Sequence, residues 1–440
     1  MHILTHFSLS KIHFQVLTNR SLAMKQAMTI VLSALLAVCL NASDVIGSSD
    51  KHAPSVASPV TLQGTEPKLH RTVFLSKLSS PWDLAFTPEK AMFFTEKCKG
   101  LSVRREDGTV HRLFGAAGSA VVAGDFFCQG QSGMLGVAVD PEFKNNRFIY
   151  VYMASNLNGK KTNRVVRITV DTGYTTVGQR RDIVSDIPYK VAPNMWGGAG
   201  IHSGGRVRFS PFDGFLYVTT GDNHSGNLPQ DLTSLGGKIL RIDREGKAAP
   251  GNNTPTGGDP RIFTYGHRNV QGIAFRPNTG EPFASEHGPR HNDEVTLLKA
   301  GGNGGWDPKP EAGVACLSNY CGYTSNKRDG TPTPMTDLNK FPKALRASWN
   351  NDSNSEGMGP CVFLNGAHWQ AWNGRLAVGF LRGGRIMILQ MDVDGMMINA
   401  SSVSGIPPER MRALVQGPDG ALYVAIDSGE IWRLAVGHHP

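Results

Sequence analysis

Short apolar stretches recur along the chain in pairs, and a proline-containing turn separates the two members of each pair. Trp82–Glu96, with the sequence WDLAFTPEKAMFFTE, is one such segment. Alternating apolar and polar positions are typical of β-strands, and two strands joined by a tight turn form a hairpin. The same pattern occurs in four further segments: Leu135–Tyr152, Gly205–Asp222, Gln271–Glu286 and Arg412–Asp427.

The turn prolines indicate how many repeats the chain holds. Successive prolines are separated by 53, 70, 66 and 141 residues, in the order Pro88, Pro141, Pro211, Pro277 and Pro418. The last interval is double-length, and Gly359–Gly383, with its Asn-Gly turn, supplies the missing hairpin. Six units of about 60 residues predict an all-β fold, a six-bladed β-propeller of four-stranded antiparallel blades. The alternative is a two-sheet sandwich in which the similarity arises by chance.

The composition agrees with a β-rich fold. Glycine and proline account for 51 and 26 of the 440 residues. They interrupt nearly every window long enough for a helix, which disfavours a mainly helical protein. A disordered chain is excluded, because 40% of the residues are hydrophobic and can fill a large core.

The N-terminus has the pattern of an export signal. Met28–Leu40 is a 13-residue apolar run, preceded by Lys25 and followed by small residues near Ala42. This run is too short to span a bilayer. We predict a secretory signal region over residues 1–42, with residues 1–23 as an over-long start, and a periplasmic or secreted protein without a stable transmembrane segment after processing. An uncleaved membrane anchor is the alternative. Residues 43–78 are expected to form an N-terminal extension and residues 79–436 the six-bladed propeller domain.

Charge and cysteine content bear on partners and compartment. The formal net charge of +9 falls to +6 without residues 1–42, which hold three basic and no acidic residues. No Lys/Arg run occurs, so we expect no nucleic-acid partner, whereas a small anionic ligand is compatible. An oxidising compartment would permit two disulfides and one free thiol, with Cys98–Cys128 and Cys316–Cys321 as possible pairs. The cysteines that remain are Cys98, Cys128, Cys316, Cys321 and Cys361.

The densest polar segments, Tyr265–Gln271 and Ser285–Glu294, flank the fourth hairpin. A His-Arg-Asn run ahead of an apolar strand is costly to bury unless an anion is bound. Arg268 offers a planar guanidinium for a carboxylate or an oxyanion. Gly288-Pro289 cannot continue a regular ladder, so nearby carbonyl groups can face a hard cation such as Ca2+. The alternative is a hydrogen-bond network between blades.

Three further features are candidates for chemistry. His202 precedes a glycine-rich entry to a strand, where it is well placed as a base at the channel. Gln131 lies ahead of another inner strand. Arg410 and Arg412 point to the same face of a strand, and they repel one another unless an anion joins them. Each has a structural alternative, because a single histidine, a surface glutamine and a solvated arginine pair are all common.

Together, these motifs resemble the soluble pyrroloquinoline quinone (PQQ) dependent glucose, aldose and sorbosone dehydrogenases, with similarity from about Ser79 to Leu434. The matching motifs are Gln131-Ser-Gly-Met-Leu-Gly136, Asp140-Pro-Glu-Phe-Lys-Asn-Asn146, His202-x-Gly-Gly-Arg206, Thr220-Gly-Asp222, Gly236-Gly-Lys-Ile-Leu-Arg241, Gly266-His-Arg-Asn-x-Gln-Gly272, Glu286-x-Gly-Pro-x-x-x-Asp-Glu294, Gly301-Gly-Asn-x-Gly-Trp306 and Arg410-x-Arg412.

The resemblance implies that an aldose or similar sugar is oxidised by hydride transfer to PQQ, with Ca2+ polarising the quinone and an external electron acceptor. His202 matches the general base that takes the proton of a sugar hydroxyl. Arg268 matches the group that stabilises the C5 oxygen of the quinone. Gln131 matches a residue that faces the substrate, and Trp349 is a second candidate for the substrate pocket.

Cofactor contacts are implied in the same way. Asn269 matches a PQQ contact, and Arg410 and Arg412 match contacts to the PQQ carboxylates. Arg382 stands where the family has a PQQ-contacting lysine. The resemblance also implies that two backbone carbonyl groups bind the calcium ion, those of Gly288 and Pro289.

The chain departs from the family at several positions. Glucose dehydrogenases have an aspartate directly before the base, where this chain has Ile201, and we expect Asp222 to hold the tautomer of His202 instead. His287 replaces the glutamine of the family's Gln-Gly-Pro motif. Ser318–Trp349 aligns poorly. These departures leave the identity of the sugar open.

Two alternatives from other functional classes are a non-catalytic binding propeller and a Ca2+-dependent lactonase-type propeller. A binding propeller has no need of His202, Arg268 and the arginine pair. A lactonase needs a carboxylate-rich metal cage, for which the sequence supplies acidic residues only within Glu286–Glu294. A nicotinamide dehydrogenase on a Rossmann fold has no support, because no G-x-G-x-x-G stands between a strand and a helix.

Overall fold

The computed structural model describes residues 65–191, 197–309, 331–352 and 354–437. These residues form six β-sheets, four with four strands and two with five. The six-bladed β-propeller predicted from the sequence is therefore confirmed. The predicted signal region lies outside the described residues, as do Cys316 and Cys321.

The blades are numbered in the order in which their innermost strands occur in the chain. Blade 6 contains β1 (Leu69–Leu75), and blade 1 contains β2 (Pro81–Phe86), β3 (Met92–Glu96), β4 (Gly100–Arg104), β5 (Val110–Gly115) and β6 (Val121–Val122). Blade 2 contains β7 (Met134–Val139), β8 (Phe148–Leu157), β9 (Lys160–Val170) and β10 (Val177–Ile187). Blade 3 contains β11 (Val207–Phe209), β12 (Leu216–Thr219), β13 (Lys238–Ile242), β14 (Ile262–Tyr265) and β18 (Gly302–Asn303). Blade 4 contains β15 (Val270–Phe275), β16 (Pro282–Glu286), β17 (Glu294–Leu297) and β19 (Ala347–Asn350). Blade 5 contains β20 (Met358–Phe363), β21 (Leu376–Phe380), β22 (Ile386–Met391) and β23 (Met397–Ser402), and blade 6 is completed by β24 (Met411–Gln416), β25 (Leu422–Ile426) and β26 (Glu430–Val436).

The hairpins predicted from the repeated pattern are the first two strands of each blade. In blade 1, for example, β2 and β3 pair antiparallel around the turn that contains Pro88. Two short helices lie in such connections, α1 (Phe143–Asn146) in blade 2 and a 3-10 helix (Ala367–Trp372) in blade 5. No helix in the described part of the chain is long and apolar enough to cross a membrane.

The innermost strands form a closed ring around a central channel. They contact one another in the order β2, β7, β11, β15, β20 and β24, and β24 returns to β2. The outermost strand of the last blade is β1, which runs antiparallel to β26 with Leu69 opposite Val436. The propeller therefore begins before residue 79, the boundary expected from the sequence, because residues 69–75 belong to blade 6.

Hydrophobic side chains fill the spaces between neighbouring blades. Phe93 of blade 1 and Val151 of blade 2 lie in one buried cluster, and Tyr152 of blade 2 and Val218 of blade 3 lie in the next. Because a single blade is too thin to bury both of its faces, packing between blades supplies the hydrophobic stabilisation and fixes the ring.

A disulfide joins Cys98 to Cys128, which confirms one of the two pairs considered from the sequence. It connects the turn after β3 to the loop before β7, where blades 1 and 2 meet. In the same place, the Nζ of Lys97 donates to the carbonyl of Gly130 at 2.9 Å. The turn after β3 thus holds the loop before β7 at two points.

Candidate active site

Residues from all six blades meet at one end of the central channel, which we call the channel mouth. In each blade, the start of the first strand and the end of the antiparallel second strand lie at the same end. The polar segments singled out in the sequence stand at these two places, so the topology gathers them. In blade order, the mouth receives Lys97, Gln131, His202, Arg268, Arg382 and Arg410.

His202 lies on the loop before β11 in a left-handed backbone conformation, with φ of 50°. For a residue with a side chain, this conformation costs on the order of 1–3 kcal/mol, and such residues concentrate at functional sites. The side-chain oxygen of Gln131 accepts a hydrogen bond from the His202 backbone N–H at 3.0 Å. The backbone of Gly221 packs directly against this loop. Glycine is required there, since a Cβ would stand 2.0 Å from the His202 carbonyl oxygen.

Asp222 is fully buried at the end of β12 and connects three groups. Its Oδ1 lies 2.7 Å from His202 Nδ1 and accepts the His224 backbone N–H at 2.9 Å. Its Oδ2 accepts the indole N–H of Trp306 at 2.8 Å. A carboxylate that receives this many donors acts as an acceptor, so His202 carries its proton on Nδ1 and its lone pair on Nε2. The contact expected between Asp222 and His202 is therefore present.

The protonation state of His202 suits a base. Burial lowers the pKa of His202 well below its usual value, and the positive charges of Arg268 and Lys190 lower it further. Burial also raises the pKa of Asp222. The imidazole of His202 is neutral at physiological pH, and it can accept a proton at Nε2.

His224 is a residue of this network that sequence reasoning missed. Its ring packs edge to face against His202, with 3.9 Å between the ring centroids. Burial lowers the pKa of His224 to about 2. Its position two residues after the Thr220-Gly-Asp222 motif is the signal that points to it. Trp306 closes another sequence motif, but the contact with Asp222 depends on the fold.

Arg268 lies before β15, where the end of β16 fixes its backbone. A carboxylate oxygen of Glu286 accepts the Arg268 backbone N–H. The Nη1 of Arg268 donates to the carbonyl of His287 at 2.8 Å, and its guanidinium lies 5.9 Å from the Trp306 ring. Arg268 lies near enough to the predicted base for its positive charge to act on His202.

Asn269 ties this segment to the loop of His202. Its side-chain oxygen accepts the backbone N–H of Gly204 at 3.1 Å and the side-chain amide of Gln271 at 3.2 Å. Asn269 is 4% exposed, so these bonds fix the orientation of its amide group. The predicted cofactor contact is thus also a link between blades 3 and 4.

Gly288 and Pro289 lie between β16 and β17. The Gly288 N–H donates to Asp293 Oδ1 at 2.9 Å, and the Gly288 carbonyl lies 2.6 Å from His287 Nδ1. Asp293 also accepts the backbone N–H groups of residues 356 and 357, so its carboxylate fixes the backbone of that loop. Over the described ranges, no group of three or more His, Cys, Asp or Glu residues is arranged to hold a metal ion. The carboxylate cage that the lactonase alternative requires is not present among these described residues.

Arg410 and Arg412 are joined by an anion of the chain itself. The Nε of Arg410 donates to Asp427 Oδ2 at 2.9 Å, and Arg412 donates to both oxygens of Asp427 at 2.6 and 2.8 Å. The pair therefore does not require a bound anion for its own stability. The Arg410 side chain is 51% exposed, which leaves donor groups directed to solvent.

Arg382 is exposed in the turn after β21, where its backbone N–H donates to the carbonyl of Glu356 at 2.7 Å. Gly357 brings this turn close to His287, because a Cβ at Gly357 would stand 3.3 Å from His287 Nε2 and 3.4 Å from the Arg382 nitrogen. Arg382 therefore belongs to the rim of the channel mouth.

Trp349 does not join these residues. It lies in β19, the outermost strand of blade 4, and its ring packs edge to face against Phe380 at 6.3 Å. It contributes to the hydrophobic cluster between blades 4 and 5. The expectation that Trp349 faces the substrate therefore receives no support.

Comparison with protein families gives a match over most of the chain. The family model described as glucose/sorbosone dehydrogenase matches residues 78–433. The aldose sugar dehydrogenase YliI of Escherichia coli (strain K12) is 28% identical over 373 residues, which cover 82% of this chain and 92% of that protein.

Two solved structures have the same fold over nearly their whole length. A glucose dehydrogenase structure superposes with a TM-score of 0.68 and 26% identity, covering 84% of this chain and 100% of the other. The PQQ-bound form of an aldose sugar dehydrogenase from Streptomyces coelicolor superposes with a TM-score of 0.61 and 25% identity, covering 85% and 100%.

Proposed function

The chain belongs to the glucose/sorbosone dehydrogenase family, and from this premise we propose that it oxidises a hydroxyl group of an aldose or related sugar by hydride transfer to PQQ. The observation that carries the proposal is the buried chain of Trp306, Asp222 and His202 at a channel mouth rimmed by basic side chains. A base of defined tautomer beside an arginine is what oxidation of a hydroxyl group requires.

The residues at the mouth fit PQQ, which carries three carboxylates and a quinone. Burial lowers the pKa of His287, and the positive charges of Arg268 and Arg410 lower it further. Burial likewise lowers the pKa of Lys97, and the charge of Arg412 adds to this effect. Arg268 and Arg410 thus both act on His287 and Arg412 acts on Lys97, and carboxylates are the natural partners of such cationic groups. Asn269, Arg382, Arg410 and Arg412 are the residues that we propose to hold PQQ.

Calcium fits the same site in a more limited way. The carbonyl groups of Gly288 and Pro289 are hard, neutral oxygen donors of the kind that Ca2+ accepts. The Gly288 oxygen has a second lone pair beside the one directed to His287. The neighbouring carboxylate of Asp293 accepts backbone N–H groups. We therefore propose that the carbonyl groups of Gly288 and Pro289 would hold a calcium ion, which would supply positive charge beside the cofactor.

His202 supplies the base in this proposal. Its Nδ1–H is held by Asp222, so Nε2 receives the proton of the sugar hydroxyl. Asp222 stabilises the imidazolium that forms without taking the proton itself, as in other His–Asp pairs. When bound, PQQ supplies the oxidant that accepts the hydride. We propose that Gln131, whose side-chain oxygen accepts the backbone N–H of His202, faces the sugar.

Arg268 supplies fixed positive charge in the proposed reaction. Its backbone is anchored by Glu286 and its guanidinium by the carbonyl of His287. A donor held in place before the reaction stabilises developing negative charge without a reorganisation cost. We propose that Arg268 acts in this way toward the quinone oxygen.

The proposal includes the compartment and the electron acceptor. The disulfide between Cys98 and Cys128 supports an oxidising location, either the periplasm or outside the cell. An external acceptor has to remove the electrons after each turnover. A non-catalytic propeller is disfavoured, because the strained backbone of His202 costs stability and a purely structural role would not require it.

Spectroscopy of the reconstituted protein tests the proposal. Purified cofactor-free protein is titrated with PQQ in the presence and absence of Ca2+, and the absorption spectrum is recorded before and after a panel of aldoses is added. We expect saturable PQQ binding and reduction of the bound cofactor by at least one sugar. Absence of binding, or full activity in protein shown to be free of PQQ, would overturn the proposal.

A further inference from the structure

Arg206 lies four residues after His202, and its side chain crosses the central channel. It is 2% exposed. Its Nη1 lies 2.5 Å from Asp83 Oδ1, and its guanidinium stacks 4.2 Å above the Trp82 ring, both in blade 1. Its Nε donates to the carbonyl of Gln271 in blade 4 at 3.0 Å.

The remaining contact of Arg206 reaches the arginine pair of the channel mouth. Its Nη2 donates to the backbone carbonyl of Arg412 in blade 6 at 2.6 Å. One guanidinium that starts in blade 3 therefore meets the inner strands of blades 1, 4 and 6. Only arginine presents its donors in a fork rigid enough to serve several directions at once.

Burial of the charged Arg206 guanidinium is energetically costly. Burial lowers the pKa of Arg206 to about 10, and the carboxylate of Asp83 opposes this shift. Replacing a buried ion pair by hydrophobic residues is often neutral or stabilising, so stability alone is a weak explanation. The directed bond to the backbone of Arg412 offers a better one.

We infer that Arg206 is a positioning residue that couples the loop of His202 to Arg412, and thereby sets the affinity of the channel mouth for the carboxylates of PQQ. The inference rests on the proposed function. Arg206 holds the backbone from which the Arg412 side chain projects. Arg412 is bonded to Asp427, and Asp427 is bonded to Arg410, so the positions of all three side chains depend on this contact. Loss of the Arg206–Arg412 hydrogen bond would allow the start of β24 to shift, and the side chains of Arg410 and Arg412 would then adopt a wider range of orientations.

Arg208 provides a matched control on the same strand. It also pairs with Asp83, with Nη1–Oδ2 and Nη2–Oδ1 both at 2.7 Å. Its further side-chain contacts are the carbonyls of Val137 in blade 2 and Val207 in its own strand, so it shares the carboxylate but not the reach to blade 6. Comparing variants of Arg206 and Arg208 therefore separates the effect of losing the bond to Arg412 from the effect of losing an ion pair with Asp83.

The experiment measures the dissociation constant of PQQ for cofactor-free protein at fixed Ca2+, by titration calorimetry, together with the melting temperature of each variant. Arg206→Lys keeps the charge beside Asp83 but cannot serve both carbonyl groups. We expect it to weaken PQQ binding about tenfold or more, the range of a charged hydrogen bond. Arg208→Met should leave the dissociation constant within about threefold. In an Arg412→Ala background, Arg206→Lys should change it no further, because coupled residues are not additive.

Other results would count against the inference. Equal weakening by Arg206→Lys and Arg208→Met would indicate a general effect of the Asp83 network, and unchanged binding in both would show that Arg206 is structural. Failure of Arg206→Lys to fold would assign the residue to the fold and overturn the inference. If the unsubstituted protein does not bind PQQ, the proposed function fails as well, which distinguishes that case from the others.

Discussion

The Oδ1 of Asp222 lies 2.7 Å from the Nδ1 of His202, although twenty residues separate them in the chain. The hairpin of β11 and β12 brings them together, because His202 precedes its first strand and Asp222 follows its second. This geometry makes the imidazole a base with a defined open nitrogen, and the first prediction follows from it.

Replacement of His202 by alanine should lower turnover about 10²–10⁴-fold, the usual contribution of a general base. PQQ and Ca2+ should still bind, since neither carboxylate contacts nor carbonyl ligands are removed. Stopped-flow reduction of bound PQQ by an active aldose is the measurement, and His368→Ala, an exposed histidine far along the chain in blade 5, is the control. Turnover at the unsubstituted rate would show that the base lies elsewhere.

The tautomer of His202 can be tested separately. Asp222→Asn keeps the size of the side chain but can donate to Nδ1, which would place the proton on Nε2 and block the base. A comparable change in a serine protease triad lowers the rate about 10⁴-fold, and a loss of at least about 10²-fold is expected here. Little effect on kcat, with the fold intact by circular dichroism, would contradict the role of Asp222.

The pH dependence follows from the lowered pKa of His202. Above this pKa the imidazole is neutral and active, so the acidic limb of kcat/KM should lie below the ordinary histidine value of about 6.5. Lys190→Met removes one positive charge that disfavours the protonated imidazole of His202, so it should move the limb upward. Lys190→Arg keeps the charge and should leave it in place. A limb at or above the ordinary value in the unsubstituted protein would refute the neutral-base argument.

The arginine pair is expected to bind carboxylates in addition to Asp427. Arg410→Ala and Arg412→Ala should each weaken PQQ binding by about 1.5–3 kcal/mol. Arg433→Ala is a suitable control, because Arg433 also pairs with an aspartate of blade 6, Asp419, at 2.7 Å. If the PQQ affinity of all three variants is the same as that of the parent, the pair is a surface feature that Asp427 alone explains.

Removal of the metal should abolish activity. After EDTA treatment we expect loss of PQQ-dependent turnover, recovery with Ca2+, and poor recovery with Mg2+, which prefers water to backbone carbonyl ligands. Titration of the EDTA-treated protein with each ion, followed by the aldose assay, is the measurement. Undiminished turnover in metal-free protein, checked by elemental analysis, would remove calcium from the proposal.

The sequence predicts the six inner hairpins because most of their strand residues are buried and leave a strong apolar pattern. The closing strand β1 was not predicted from the sequence. Leu69–Leu75 lies on the outer edge of blade 6 with mostly exposed side chains, so no apolar pattern marks it. An outer strand forms because its backbone pairs with a neighbouring strand. The hydrophobic pattern of a single segment does not reveal this pairing.

The candidate site shows the same division. His202, Arg268 and Asn269 are predictable because polar residues directly before an apolar inner strand have to face the channel mouth. The compensation of Arg410 and Arg412 by Asp427 depends on the register of β24 and β25, which pairs Met411 with Ile426. Trp349 is the last residue of the poorly aligned segment, and the structure gives its predicted role no support because a short outer strand, β19, takes its side chain into the packing between blades.

The pairing of β1 with β26 means that the first and the last strand of the propeller meet in one sheet. The ring is therefore closed by the strand of the propeller that is made first and the one that is made last. A nascent chain cannot close it until the final blade has been synthesised, and deletion of either strand opens the same sheet. Conversely, a circular permutant with residues 65 and 437 linked and new ends cut in an exposed turn would keep every strand pairing, so the order of the blades in the gene is separable from their order in the ring.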